Sequence, residues 1–133
     1  MKLSDIEGIG AAYQKKLNKA GIKSTDALLK AGATPKGRTE LETKTGIGHA
    51  LILEWVNHAD LYRIKGVGSE YSDLLEEAGV DTVVELSKRK AENLHKAMLD
   101  ADAKKKLVRR PPALKMVQNW IEQAKALPRV VKY

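Results

Sequence analysis

The stretch Glu7-Gly8-Ile9-Gly10-Ala11-Ala12-Tyr13 places an apolar residue between two glycines, with helix-forming residues on both sides. The pattern returns as Lys65-Gly66-Val67-Gly68-Ser69-Glu70-Tyr71, and a third copy reads Thr45-Gly46-Ile47-Gly48-His49-Ala50-Leu51. Each glycine permits positive φ angles and a close backbone approach that a β-carbon would block. Three copies in 133 residues therefore predict three similar tight turns between helices.

The two best copies belong to a longer internal repeat. A shift of 58 residues aligns Leu3 with Leu61, Gly8 with Gly66, Gly10 with Gly68, Tyr13 with Tyr71 and Leu28 with Leu86. Trp55 aligns with Trp120 at a shift of 65, so the second half has seven extra residues (65 minus 58), placed near residues 101–108. We therefore predict an internally duplicated chain with a first unit at 1–60, a second unit at 61–127 and a tail at 128–133.

Polar caps, glycines and prolines divide each half into helices. Ser4 to Glu7 predicts a capping box that opens a very short first helix, and Thr82 to Glu85 predicts another capping box. The further predicted helices cover residues 11–20, 25–30, 35–44, 50–60, 61–64, 69–78, 83–88, 91–106 and 113–127. In the helix at 91–106, Leu94, Met98 and Leu99 have core spacing. Because no segment alternates with the strand period, the fold class is predicted to be all-α.

Composition narrows the function classes. A net charge of +7 with 43% hydrophobic residues indicates a packed domain that favours acidic partners, above all nucleic acid, although the charge could also serve only solubility. The absence of cysteine excludes disulfides and thiol chemistry, and three scattered histidines predict no metal site and no cofactor. No apolar run of membrane-spanning length and no apolar leader are present, so we expect a cytoplasmic protein without a membrane partner, and a monomer.

The glycine turns resemble the helix-hairpin-helix motif. The resemblance is carried by Leu3-x-x-Ile6-x-Gly8-Ile9-Gly10 and Leu61-x-x-Ile64-x-Gly66-Val67-Gly68, and less strongly by residues 41–48. Over about residues 3–127 the chain resembles a bacterial four-hairpin family that carries a domain of unknown function. The resemblance implies four helix-hairpin-helix units in two tandem pairs, a SAM-like bundle. The fourth hairpin departs from the pattern and reads Arg110-Pro111-Pro112-Ala113, in which proline lacks an amide donor.

Such turns are suited to phosphate. The second glycine lies at a helix N-terminus, where amide groups lack internal partners and the helix dipole is positive. Hairpins of this family bind the DNA backbone without reading bases, so the resemblance implies backbone contacts at Gly8, Gly10, Gly46, Gly48, Gly66 and Gly68. Basic neighbours that could add charge are Lys15, Lys16, Lys44, His49 and Lys65. The apolar residue between the glycines is expected to turn inward.

The densest basic cluster comprises Lys104, Lys105, Lys106, Arg109 and Arg110. It lies where the fourth hairpin is expected, so its side chains could replace the lost amide site and contact backbone phosphate. The alternative is a solvated basic helix end, which the dipole of a helix C-terminus also favours.

A purely architectural reading of the turns stays open, because Ala11 and Ala12 carry no charge and Glu70 would repel a phosphate. No catalytic constellation or P-loop is present, so the chain is predicted not to be an enzyme. The leading hypothesis is a largely sequence-independent DNA-binding module, with DNA preferred over RNA. The alternative is a protein-interaction adaptor that uses the hairpin array as a scaffold.

Overall fold

The structure is a computed structural model that describes residues 1–133. It contains a 3-10 helix, Leu3–Asp5, and eight α-helices, with no strand. The α-helices are α1 (Ala11–Lys19), α2 (Thr25–Ala31), α3 (Pro35–Thr45), α4 (His49–Leu61), α5 (Ser69–Glu77), α6 (Val83–Ser87), α7 (Ala91–Lys105) and α8 (Leu114–Ala126). The all-α prediction is therefore confirmed. None of the helices combines the length and the apolar character that a bilayer crossing requires.

The chain forms two compact units. Unit 1 comprises Met1–Asp60 together with Arg129–Tyr133, and unit 2 comprises Leu61–Pro128. Unit 1 contains α1 to α3 and nearly all of α4, and unit 2 contains α5 to α8.

Hydroxyl side chains cap three helices, and the cap predicted at Thr82 is one of them. The side-chain oxygens of Ser24, Thr34 and Thr82 accept the backbone N–H three residues later, at 3.1, 3.1 and 3.2 Å. Each hydroxyl thus satisfies an amide that has no partner within its own helix. These caps explain why α2, α3 and α6 begin where the sequence indicates.

Two helix predictions were wrong. The first turn is a 3-10 helix capped by Lys2 instead of Ser4, because the Asp5 carboxylate accepts the Lys2 N–H at 3.1 Å. Residues 61–64 do not form a separate helix: α4 continues to Leu61 and then ends in a turn. No glycine or proline separates Ala59 from Leu61, so no helix-breaking residue ends α4 earlier.

The core of unit 2 includes only part of the predicted set on α7. Leu94 and Met98 are fully buried, whereas Leu99 is 39% exposed. Residues four apart share one face of a helix, and the next residue is rotated by about 100° from that face. The buried residues of unit 2 also include Leu74, Leu75, Val80, Leu86, Val117, Trp120 and Ile121.

Close packing of α2 and α3 distinguishes unit 1. A β-carbon on Gly37, inside α3, would lie 2.1 Å from the carbonyl oxygen of Ala31, the last residue of α2. A β-carbon on Gly32 would lie 2.4 Å from Val56 Cγ2. Glycine within a helix costs about 1 kcal/mol relative to alanine, so its presence at position 37 is explained by this approach. The next residue, Arg38, is brought beside the end of α2.

Residues 129–133 dock on unit 1 without forming a helix. The Lys132 N–H donates to the Ala33 carbonyl at 2.7 Å, and the Lys132 carbonyl accepts from Arg38 Nη2 at 2.7 Å. Val131 is buried, and the Tyr133 hydroxyl donates to Asn57 Oδ1 at 3.0 Å. The end of the described chain is therefore a packed part of unit 1.

Candidate nucleic-acid interface

The turn at residues 8–10 joins the 3-10 helix to α1. Gly8 has φ +94°, Ile9 is buried, and the Ile9 N–H donates to the Ile6 carbonyl at 3.2 Å. Gly10 is the N-cap of α1 and supplies no side-chain hydrogen bond; its carbonyl accepts the Gln14 N–H at 2.9 Å. The first amides of α1 therefore follow a residue that cannot cap them.

The turn at residues 66–68 has the same local backbone in unit 2. Gly66 has φ +95°, and Val67 is buried and donates its N–H to the Ile64 carbonyl at 3.1 Å. Gly68 is the N-cap of α5, again without a side-chain hydrogen bond, and its carbonyl accepts the Ser72 N–H at 2.9 Å. The inward orientation expected for the apolar residue is confirmed in both turns.

Tryptophan explains the first glycine of each turn. A β-carbon on Gly8 would lie 3.4 Å from Trp55 Nε1, and one on Gly66 would lie 3.1 Å from Trp120 Nε1. Both indoles are almost completely buried, so they belong to the cores of their units. The second glycines differ, because a β-carbon there would have no neighbour within 4 Å, so the surface beside the helix amides is open.

A tyrosine follows each turn and packs on the indole that faces the first glycine of that turn. The ring centroids of Tyr13 and Trp55 are 5.1 Å apart, as are those of Tyr71 and Trp120. Lys16, a predicted site residue, holds its Nζ 5.8 Å from the Tyr13 ring centroid. Lys15 and Lys16 are both exposed on α1, the helix whose N-terminus the first turn presents.

The turn at residues 46–48 connects α3 to α4. Gly46 ends α3 in the left-handed conformation and donates its N–H to the Glu42 carbonyl at 2.8 Å. Ile47 is buried, as predicted, and the Gly48 carbonyl accepts the first bond of α4. His49 Nδ1 lies 3.6 Å from the Glu42 carboxylate, so an acidic side chain stands beside this turn.

The corresponding connection of unit 2, residues 106–113, contacts the start of α5. The Tyr71 hydroxyl donates to the Arg110 carbonyl at 3.0 Å, and the Arg109 N–H donates to Glu70 Oε1 at 3.3 Å. Arg109 Nε lies 3.7 Å from the same carboxylate oxygen. Arg109 and Arg110 are exposed, and the segment that carries them contacts two residues of the first turn of α5. The carboxylate that sequence reasoning took as repulsive to phosphate is thus paired with an arginine.

Two further bonds hold this connection against α7. The Val108 N–H donates to Asp102 Oδ1 at 3.2 Å, and His95 Nε2 donates to the Pro112 carbonyl at 2.8 Å. The basic segment is therefore fixed by side chains of both α5 and α7.

The rest of the basic cluster lies at the opposite end of α5. Lys105 Nζ is 2.5 Å from Glu77 Oε1, at the last residue of α5, and Lys106 ends α7 with φ +49°. Lys104 and Lys105 line an open groove of 370 Å³ whose other lining residues are Glu77, Ala78, Ala97, Asp100 and Ala101. Because a nine-residue helix is about 13 Å long, the structure divides the cluster between the two ends of α5.

Lys65 is anchored by a residue that sequence reasoning missed. Its backbone N–H donates to Gln123 Oε1 at 2.9 Å, and Gln123 Nε2 donates to the Lys65 carbonyl at 3.1 Å. The Lys65 side chain stays exposed. These paired bonds fix the turn at residues 66–68 to α8, and no motif in the sequence around Gln123 indicates them.

Comparison with known proteins identifies a family. A family model described as "Domain of unknown function (DUF4332)" matches residues 7–127. No curated protein and no solved structure matches the chain.

Proposed function

The chain belongs to this family of unknown function, and we propose on that premise that it is a non-enzymatic module that binds the DNA backbone with little sequence preference. The observation that carries the proposal is the turn at residues 66–68. There α5 begins without a side-chain cap, and its first turn is contacted by the segment that carries the exposed Arg109 and Arg110, with Arg109 Nε 3.7 Å from the Glu70 carboxylate. Oriented amides, a helix dipole and arginine together suit a phosphate group.

We further propose that the chain consists of four helix-hairpin-helix units in two tandem pairs, produced by internal duplication. The agreement between the turns at 8–10 and 66–68 in φ, in buried apolar residue and in the facing tryptophan supports this proposal. Under it, the turns at 8–10, 46–48 and 66–68 offer amides to phosphate. The fourth connection, 106–113, offers side-chain charge instead.

Binding of this kind depends on charge and not on bases. The net charge of +7 supplies a general attraction to a polyanion, and each phosphate contact releases counterions. We therefore expect fluorescence anisotropy to give similar affinities for unrelated DNA duplexes and a linear fall of log affinity with log salt concentration. Absence of binding to single-stranded and duplex DNA at low salt would refute the proposal.

Charge reversal locates the interface. One variant carries glutamate at Lys104, Lys105, Lys106, Arg109 and Arg110. A control variant carries glutamate at Lys2, Lys19, Lys23, Lys30 and Lys36, which are exposed residues of unit 1. Because both variants have the same net charge, a much larger loss of affinity in the first would assign binding to the cluster. Equal losses of affinity would contradict the assignment of binding to the cluster, provided that circular dichroism shows both variants to be folded.

A protein-interaction adaptor is the second candidate. It is favoured by the docking of residues 129–133 on unit 1, because that contact uses the backbone of a short segment. Co-purification of one protein partner that persists after nuclease treatment, together with an absence of DNA binding, would favour this function over the first.

A further inference from the structure

The carbonyl and the N–H of Lys132 are both bonded to unit 1, while its side chain is exposed. The acceptor is the Ala33 carbonyl and the donor is the Arg38 guanidinium, so this position is bound through its backbone alone. Main-chain bonds that supply affinity, with pockets for the neighbouring side chains, are a common mode of peptide recognition.

Arg38 requires an acceptor at this place. Its side chain is 2% exposed, its Nη1 donates to the Gly32 carbonyl at 2.8 Å, and its Nη2 donates to Lys132. Its buried Nε has no hydrogen-bond partner. A buried cation is costly unless its donors are satisfied. Removal of the Lys132 carbonyl would therefore leave a second guanidinium nitrogen without a protein acceptor.

The side chains on both sides of Lys132 determine which residue types the contact accepts. Val131 is 3% exposed, which requires an apolar side chain of similar size. The Tyr133 ring centroid lies 5.9 Å from Arg38 Cζ, and its hydroxyl reaches Asn57. The contact therefore requires a buried aliphatic residue and accepts any residue next. Tyrosine is favoured after it by the Asn57 bond and the position beside Arg38, although this residue is 63% exposed.

The receiving groups are supplied by the junction of α2 and α3. Gly32 ends α2, Gly37 allows the close approach of α3, and Thr34 caps α3. Arg38 and the Ala33 carbonyl are positioned by this junction, whose caps and close contacts involve no residue of the docked segment.

We propose that unit 1 carries a binding slot for a peptide of the pattern Val-x-Tyr. Residues 131–133 fill the slot in the same chain, and the same sequence supplied as a separate peptide can replace them. This slot is independent of the proposed DNA binding.

The test uses the full chain with Val131→Asp, which places a charge in the apolar pocket. We expect the residue 132 amide to exchange with solvent at least about tenfold faster than in the unmodified chain, while amides of α7 and α8 keep their rates. A synthetic peptide of residues 127–133 should then restore the unmodified NMR shifts of Ala33 and Arg38, with a dissociation constant of about 1 mM or lower.

Two control peptides define the pattern. A peptide with Lys132→Ala should bind as well as the unmodified peptide, because only the backbone of that residue is used, and a peptide with Val131→Asp should not bind. If Val131→Asp unfolds the chain, Tyr133→Ala is used in its place. This variant weakens the docking of residues 131–133 because it removes the hydrogen bond to Asn57. Unchanged shifts at about 5 mM peptide, or rapid exchange of the residue 132 amide in the unmodified chain, would overturn the proposal.

Discussion

The turns at residues 8–10 and 66–68 have the same backbone and different surroundings. Both begin with a glycine near φ +95° that faces an indole nitrogen, and both end with an N-cap glycine whose β-carbon would have no neighbour within 4 Å. In unit 1, the second residue of the following helix is Ala12; in unit 2, the residue 58 positions later is Glu70. Glu70 is paired with Arg109, whereas Ala12 makes no charged contact.

This difference teaches that a turn and its electrostatics are set by separate residues. Glycine and tryptophan determine the path of the chain, and the second residue after the cap determines the local charge. The three-residue connection 46–48 joins α3 to α4 directly, whereas the eight residues 106–113 extend to the first turn of α5. An acidic residue beside such a turn is therefore compatible with an anion site when a longer loop supplies its arginine.

Alanine at the four glycines should give the largest effects. Gly8→Ala and Gly66→Ala force a β-carbon into the left-handed region, at a cost of about 1–2 kcal/mol in the free energy of unfolding. Gly66→Ala should cost more, because its β-carbon would lie 3.1 Å from Trp120 Nε1. Gly10→Ala and Gly68→Ala should cost less than about 1 kcal/mol, the scale of an N-cap change. Urea denaturation measures all four, and equal losses at first and second glycines would contradict the explanation.

Removal of the tyrosine hydroxyl should lower stability more in unit 2 than in unit 1. Tyr71→Phe loses the hydrogen bond to the Arg110 carbonyl, worth about 0.5–1 kcal/mol at an exposed position. Tyr13→Phe keeps the ring contact with Trp55 and should change stability by less than about 0.5 kcal/mol. Comparable thermal shifts for the two variants would show that the loop is not held by this bond.

Substitution of the second residue after each cap should have the smallest effect, and it tests DNA binding directly. Glu70→Ala should raise DNA affinity at low salt by about two- to fivefold, and Ala12→Glu should lower it by a similar factor, the scale of one charge at a helix N-terminus. Fluorescence anisotropy with one duplex measures both variants. If neither changes affinity, the turns serve architecture only.

Local patterns predicted most of the helices. Ser24, Thr34 and Thr82 cap helices through residues three positions away, and the buried Ile9, Ile47 and Val67 follow from glycine on either side. The error at residues 61–64 has a local cause as well: a repeat unit was assumed to begin with its own helix, but no glycine or proline ends α4 there.

Local patterns could not predict the contacts that shape the candidate site, because these contacts join residues far apart in the sequence. Arg38 and Lys132 are 94 positions apart, Lys65 and Gln123 are 58 apart, and Glu70 and Arg109 are 39 apart. Arginine is rarely buried, so its sequence environment gives no indication of the role of Arg38. The division of the basic cluster between the two ends of α5 likewise depends on the path of residues 106–113 and not on their composition.

The docking of residues 129–133 on unit 1 has a consequence for synthesis on the ribosome. At translation rates of about 5–20 residues per second, the 94 residues that separate Arg38 from Lys132 take roughly 5 to 20 seconds to assemble. During that interval the guanidinium lacks the Lys132 carbonyl, and unit 1 lacks the Val131 contact. The first unit to be synthesised is therefore the last to be completed, after every helix of unit 2 has been translated.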